Sequence, residues 1–263
     1  MTLLDRDGVR VTVQDAVATV TLARADRRNA QTPAMWRALA ETGRLLRGDV
    51  RVVVLRGEGP SFSAGLDRRA FTAGGLAGEP GGDLSLPELA RYDDAALDAA
   101  LSTFQEAFTW WRRPDIVSVA AVGGHAIGAG FQLALACDLR ICGDDAEFAM
   151  RETSLGLVPD LAGTKPLTAL VGYGRALEIC ATGRSVGADE AVRIGLAQLA
   201  VARADLDAAA TDLAAALLDA PRDALVETKA LLLGAADRDY DAQRAAERAA
   251  QARRLRDLAG LGE

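Results

Sequence analysis

Histidine, lysine and aromatic residues are scarce in this chain. Its 263 residues include one histidine, His125, and two lysines, Lys165 and Lys229, with aromatics at 5%. One histidine excludes a His-rich metal centre. Any histidine-based triad would have to run through His125 beside a G-x-S-x-G serine, which the chain lacks. Three cysteines, Cys137, Cys142 and Cys180, are an odd number without ligand spacing, which excludes a disulfide scaffold and a zinc ribbon. The formal charge is −7, from 30 basic and 37 acidic residues, so no surface for neutralising nucleic-acid phosphates is expected. The first ten residues mix charges and contain no apolar h-region, and the chain reads as cytoplasmic. Half of the residues are hydrophobic and a quarter charged, enough for one large core without covalent staples.

The run from Ile116 to Cys137 holds 22 residues without Asp, Glu, Lys or Arg. Its length alone would permit a membrane span. Gly123, Gly124, Gly128 and Gly130 interrupt it, however, and Ser118, His125 and Gln132 dilute it. It reads as strand, glycine turn and buried helix, and no membrane partner is expected.

Upstream, Val9 to Val13 and Ala16 to Leu22 alternate with a period of two around Gln14-Asp15, which predicts a hairpin. Thr32-Pro33 signals a helix start, with Met35, Leu39, Thr42 and Leu46 at helical spacing after it. Val50 to Leu55 is short and, apart from Arg51, apolar, as in a buried strand. Residues 73–98 read as a mobile, acidic, Gly- and Pro-rich flap, ahead of a helix carrying Leu97, Leu101, Phe104 and Phe108. A strand is expected at Leu139 to Cys142. After Pro159 the pattern turns helical, and Arg238 to Arg256 carries six arginines against three acids.

Two segments share one logic: a strand runs into small residues, and the chain then turns toward a helix and exposes backbone N–H groups. They are Phe62-Ser-Ala-Gly-Leu-Asp67 and Gly123-Gly-His-Ala-Ile-Gly-Ala-Gly130, and neither is a nucleotide-phosphate motif. Arg28-Asn29-Ala30 precedes them. Cys137-Asp138, Glu152, Leu155-Gly156, Pro159, Ala181-Thr-Gly-Arg184 and Gly195-Leu196 follow. In this order and spacing, over roughly residues 9–260, the chain resembles the enoyl-CoA hydratase/isomerase (crotonase) superfamily.

The resemblance implies an α/β fold of repeated ββα units over residues 1–195, with a C-terminal helical region over 196–263 that assembles a homotrimer or a hexamer, a dimer of trimers. It implies an acyl-CoA thioester substrate, with coenzyme A as part of the substrate, no further cofactor and no metal. The N–H groups of Leu66 and Ala129 would form an oxyanion hole for the thioester oxygen, each contributing about 3 kcal/mol in the transition state. Arg24, Arg28, Ala64, Gly65, Asp67 and Arg68 would meet CoA, with Arg69 or the basic tail of a neighbouring copy as further phosphate contacts. Phe104, Phe108 and Trp110 would line the acyl pocket.

The acid–base positions decide the reaction. Hydratases of the family use two glutamates. Here the second is Glu152, but Gln132 stands at the first, and an amide takes no proton at neutral pH. Asp160 falls where the family's dienoyl-CoA isomerases carry an aspartate; it also reads as a helix N-cap after Pro159. Leu155, Leu157 and Val158 suggest that Glu152 is buried with a raised pKa. His125, in the glycine turn, reads as structural. Three readings follow: double-bond isomerisation by Glu152 with Asp160, hydration by Glu152 with Gln132, and a non-catalytic acyl-CoA binder.

Overall fold

Val52-Val-Val-Leu55 is apolar at every position, which a strand tolerates when both of its faces are covered. The computed structural model, which describes residues 1–76 and 85–262, has this arrangement. In chain order the first half contains β1 (Thr2–Arg6), β2 (Val9–Gln14), β3 (Val17–Leu22), α1 (Pro33–Leu45), β4 (Val52–Gly57), α2 (Leu86–Leu89), α3 (Asp94–Thr109) and β5 (Val117–Val122). Next come β6 (His125–Ile127), α4 (Ala129–Ala136), β7 (Leu139–Gly143), β8 (Glu147–Ala149), α5 (Thr164–Val171), α6 (Tyr173–Thr182) and β9 (Ser185–Gly187). The chain finishes with α7 (Ala188–Arg193), β10 (Leu199–Val201), α8 (Leu206–Asp219), α9 (Arg222–Gly234) and α10 (Tyr240–Leu258).

A seven-stranded sheet runs in the order β1-β2-β3-β4-β5-β7-β10. Its first three strands pair antiparallel, and the pairs from β3 to β10 are parallel. Alternation sends successive side chains to opposite faces. Val53, Leu55, Ala120 and Val122 enter the larger core beneath α1, α3 and α4, while Val52, Val54, Val119 and Ala121 face α8. The α8 contacts are Leu206, Ala210 and Ala214, one helical face whose small residues let the helix lie close. A second sheet, β6-β8-β9, stands beside the first.

The mixed α/β architecture and the β2–β3 hairpin follow the sequence expectation. β1 and the three-residue strands β6, β8, β9 and β10 do not, because so few residues carry no readable period. The flap expected at 73–98 falls in part on residues 77–84, which lie outside the described residues. Residues beyond 195 also serve the core as well as the C-terminal helices: β10 extends the main sheet beside β7, and α8 covers that sheet's second face.

Lys229, on α9, ties the C-terminal helices to this core. It is buried, and its Nζ donates to Arg113 O at 2.7 Å, Ile116 O at 2.6 Å and Asp138 Oδ2 at 2.7 Å. Asp138 Oδ2 also accepts from the N–H of Ser118 at 2.8 Å. Lys229→Met leaves this carboxylate and two carbonyls without their cation, and should cost about 3–5 kcal/mol in chemical denaturation. A loss below about 1 kcal/mol would mark the contact as no stronger than a surface ion pair.

Candidate active site

A parallel bridge pairs Ser63 with Ala126. Phe62 N–H donates to Gly123 O, Ser63 N–H to His125 O, and Ile127 N–H to Ser63 O, at 2.8–3.0 Å. The segment from 62 onward thus runs beside β6 as an extra strand. Three residues further along each chain stand Leu66 and Ala129, so the parallel register carries both to the same end of the pair. Gly65 makes the approach possible. Its φ is +85°, and a β-carbon there would lie 2.5 Å from Ile127 O and 3.5 Å from the Ala129 nitrogen. Ala129 opens α4, where N–H groups lack helical acceptors. Among the described residues, neither Leu66 N–H nor Ala129 N–H donates to a backbone carbonyl.

A buried amide network holds the first of these strands. Asn29 Nδ2 donates to Glu58 O at 2.9 Å and Ser61 O at 2.8 Å, and its Oδ1 accepts from Arg24 N at 2.9 Å. Gln31 N–H donates to Gly65 O at 2.7 Å, its Nε2 donates to Ser63 Oγ at 3.2 Å, and its Oε1 accepts from Trp36 Nε1 at 2.7 Å. Asn29 was legible as part of a motif. Ser63 likewise fell within the 62–67 segment, but Gln31 carried no sequence signal, because an amide looks alike whether it serves a loop or the solvent.

β8 lies parallel to β6, and its exit carries Glu152 beside the glycine turn: Gly128 N–H donates to Ala149 O, and a β-carbon on Gly128 would lie 3.4 Å from Glu152 Oε1. The Glu152 side chain is buried. Its Oε1 accepts from Gln132 Nε2 at 2.6 Å, while Oε2 is buried without a partner. Gln132 is itself fixed. Its Oε1 accepts from the N–H groups of Leu161 at 2.8 Å and Gly163 at 3.4 Å. Between them Ala162 sits at φ +62°, a strained conformation worth about 1–3 kcal/mol that turns the Leu161 and Gly163 N–H groups toward one oxygen.

Burial pushes the Glu152 carboxyl above its ordinary range, the hydrogen bond from Gln132 opposes this, and the charge of nearby Asp160 adds to the rise. Burial likewise raises Asp160. The sequence placed Glu152 correctly for a wrong reason. Leu155, Leu157 and Val158 are exposed, at 58%, 39% and 70%, and the cover comes instead from the glycine turn and Gln132. The capping alternative for Asp160 is corrected: α5 starts at Thr164 and its N-cap is Gly163. Asp160 O accepts from Gln105 Nε2 at 2.6 Å, a contact from α3 that sequence reasoning missed.

Phe104, next to Gln105, and Phe108 pack on Trp36, with ring centroids at 5.0 and 6.0 Å. Both aromatics therefore stand near Gln31, which accepts from the Trp36 indole. Trp110 has a different task. It stacks on Trp111 at 4.0 Å and fills the space over Gly43 of α1. His125 is exposed rather than buried, and its Nδ1 lies 3.4 Å from Ser61 Oγ.

The charged residues expected around CoA divide. Asp67 is buried, accepts from the N–H and side chain of Arg69 at 2.8–3.1 Å, and lies 3.5 Å from Arg24. The Arg69 hydrogen bonds, against the cost of burial, hold the Asp67 carboxyl down at about 2. Arg24 also donates to Ala30 O at 2.6 Å. Asp67, Arg69 and Arg24 thus brace the loop. Arg28 and Arg68 are exposed on either side of Ala64 and Gly65, and Arg28 O accepts from Ala64 N–H at 2.9 Å. In the basic tail, Arg253 pairs with Glu227, Arg254 with Asp223 and Asp257, and Arg244 with Asp241. Among the described residues there is no cluster of three or more metal-ligating side chains, and no helix is long and apolar enough to cross a membrane.

Comparison with known proteins gives this geometry its context. The family model described as enoyl-CoA hydratase/isomerase matches residues 12–257. A peroxisomal Delta(3,5)-Delta(2,4)-dienoyl-CoA isomerase of Arabidopsis thaliana is 32% identical over 70% of this chain, which spans 65% of that protein, slightly less than two thirds of its length. A Mycobacterium tuberculosis protein named "Probable enoyl-CoA hydratase EchA17" is 34% identical over 95% of this chain and 88% of its own. Among solved structures, a Thermobifida fusca protein described as "a putative enoyl-CoA hydratase", in complex with CoA, is 50% identical, with a TM-score of 0.89 over 96% of this chain and 95% of that one; the same protein is also solved with acetoacetyl-CoA. Shared fold, matched sequence and the paired turns at Leu66 and Ala129 lead to one assignment: the chain belongs to the enoyl-CoA hydratase/isomerase family of the crotonase superfamily.

Proposed function

We propose that this protein is an acyl-CoA isomerase that shifts a double bond by moving a proton with Glu152 and Asp160, while the N–H groups of Leu66 and Ala129 hold the thioester oxygen. One observation carries this reading: Glu152 has one oxygen fixed by Gln132 and the other buried, unpartnered and free to meet a substrate carbon. Removing a proton from carbon leaves an electron pair that spreads onto the thioester oxygen, where preorganised N–H donors act most strongly in a water-poor site. A carboxyl then returns a proton to a carbon further along the chain, and no oxidant or reductant is consumed. Burial raises both carboxyls above their ordinary ranges, and the charge of Asp160 adds to the rise at Glu152, which suits proton exchange with carbon.

The CoA moiety is assigned to the backbone of Ala64 and Gly65, with Arg28 and Arg68 as exposed cations for its phosphates. Assembly into a homotrimer or hexamer is proposed from the apolar side chains left on the surface, among them Leu155, Leu157, Val158, Tyr173 and Leu177. Hydration is the second reading, supported by the hydratase names of several relatives. It meets one obstacle: both polar atoms of Gln132 are already engaged, and only one of the two positions carries a carboxylate.

A panel of 2-enoyl, 3-enoyl and dienoyl thioesters in deuterated water, followed by mass spectrometry, separates these readings. Isomerisation gives a product of unchanged formula apart from exchanged deuterium, hydration adds a water, and a mere binder does neither. Glu152→Gln should abolish turnover and keep acyl-CoA binding; wild-type rates in that variant would overturn the assignment. Asp160→Asn should lose isomerisation at near-normal stability, and unchanged kinetics would remove Asp160 from the mechanism.

The raised carboxyls also predict a pH signature. Activity should fall on acidification with a midpoint above the ordinary glutamate range, as Glu152 takes up its proton. Because the folded-state pKa is raised, the contribution of Glu152 to stability is favourable below the unfolded value and is lost as pH rises through the folded one. Glu152→Gln should therefore melt higher than wild type at neutral pH, with the gap closing in acid. A variant that melts lower at neutral pH would contradict the burial argument.

A further inference from the structure

The mechanism makes no use of Arg140, although it is fully buried on β7. Among the described residues no carboxylate oxygen lies within ion-pair distance of its guanidinium. Its acceptors are backbone carbonyls: Leu196 O at 2.7 Å through Nε, Cys137 O at 2.8 Å and Ala134 O at 3.4 Å through Nη1, and Asp138 O at 3.2 Å through Nη2. Ala134 and Cys137 belong to the C-terminal turn of α4. Arg112, in the 3-10 turn that follows α3, reaches the same turn of α4 and donates to Leu135 O at 3.2 Å and Ala136 O at 3.4 Å. Four successive carbonyls, Ala134 to Cys137, thus receive two guanidiniums. The other charges of the cluster, Asp138 and Lys229, pair with each other, so the end of the helix carries a net positive charge.

The opposite end of α4 presents the Ala129 N–H. A helix carries a partial positive charge at its N-terminus and a partial negative charge at its C-terminus. Over the ~12 Å of an eight-residue helix in a buried setting, the negative end subtracts from the potential felt at the positive one. Cations at the C-terminus cancel that subtraction and also fix where the helix sits along its axis. We infer that Arg140 and Arg112 are positioning residues for the oxyanion hole, holding α4 by its C-terminal carbonyls so that the Ala129 N–H meets the thioester oxygen at full strength. The inference rests on the oxyanion reading given above.

The test uses the infrared carbonyl stretch of hexanoyl-CoA labelled with carbon-13 at the thioester carbon, bound to the full-length protein. In wild type the band should shift to lower frequency on binding. Arg140→Met and Arg112→Met should keep binding but lose part of that shift. Turnover should drop on the order of tenfold, short of the ~100-fold that follows loss of an oxyanion donor. Arg112 is only partly buried, and its variant decides the matter if Arg140→Met fails to fold. Arg51→Met is the control. Arg51 holds Leu218 O at 3.1 Å and Ala220 O at 2.6 Å at the end of α8, a helix that does not lead to the site. This variant should lose stability without moving the band. A full wild-type shift in Arg112→Met, or an equal loss in Arg51→Met, overturns the inference while leaving the oxyanion reading intact. Absence of any shift in wild type overturns the oxyanion reading, and the inference with it.

Discussion

The parallel pairing of Ser63 with Ala126 fixes where two backbone donors emerge, and the site is arranged around that register. Because the two segments run in the same direction, equal steps along each bring Leu66 and Ala129 to neighbouring positions. A slip of one residue would separate them and turn the intervening side chains to the wrong face. Gly65 permits the close approach by omitting a β-carbon against Ile127 O, and Asn29 and Gln31 hold the segment from the other side, through Ser61 O and Ser63 Oγ. Donors in a main chain are positioned by the fold itself, so the side chains at 66 and 129 are free to be Leu and Ala.

Around these donors the chain distributes its polar groups unequally. Around Glu152 and the paired turns they are left wanting: Glu152 Oε2 has no partner, Asp160 is raised by burial, and two N–H groups find no carbonyl. The Asn29 network and the carbonyl cluster of Arg140, by contrast, are well bonded. Unsatisfied groups cost stability when buried. Three other buried side-chain nitrogens, Arg51 Nε, Trp110 Nε1 and Arg254 Nε, also lack partners among the described residues, but each stands alone, whereas Glu152 lies beside the glycine turn that leads to the Ala129 N–H.

Much of the core was legible from sequence because its signals are local. An unbroken apolar run at 52–55, alternation at 9–22 and the glycine turn at 123–130 each report their own environment. The site was legible in part, through the paired small-residue turns and Glu152. What escaped was relational. Nothing in the residues alone distinguishes Asp67 as the partner of Arg69 and Arg24 from Asp67 as a ligand contact, or marks Gln105 as reaching Asp160 across 55 positions. The burial of Glu152 shows the same limit, since the apolar neighbours that suggested it point to solvent while residues 20 and more positions away supply the cover.

The backbone cradle formed by Leu161 and Gly163 has one further consequence. It binds the side chain at 132 through a single oxygen, and glutamate would present that oxygen as readily as glutamine does. Codons for the two residues differ by one base. At this position, then, the step between one carboxylate and two is a single-nucleotide event that asks for no repacking of α4, and protonation would have to settle how the second acid shares 2.6 Å with Glu152.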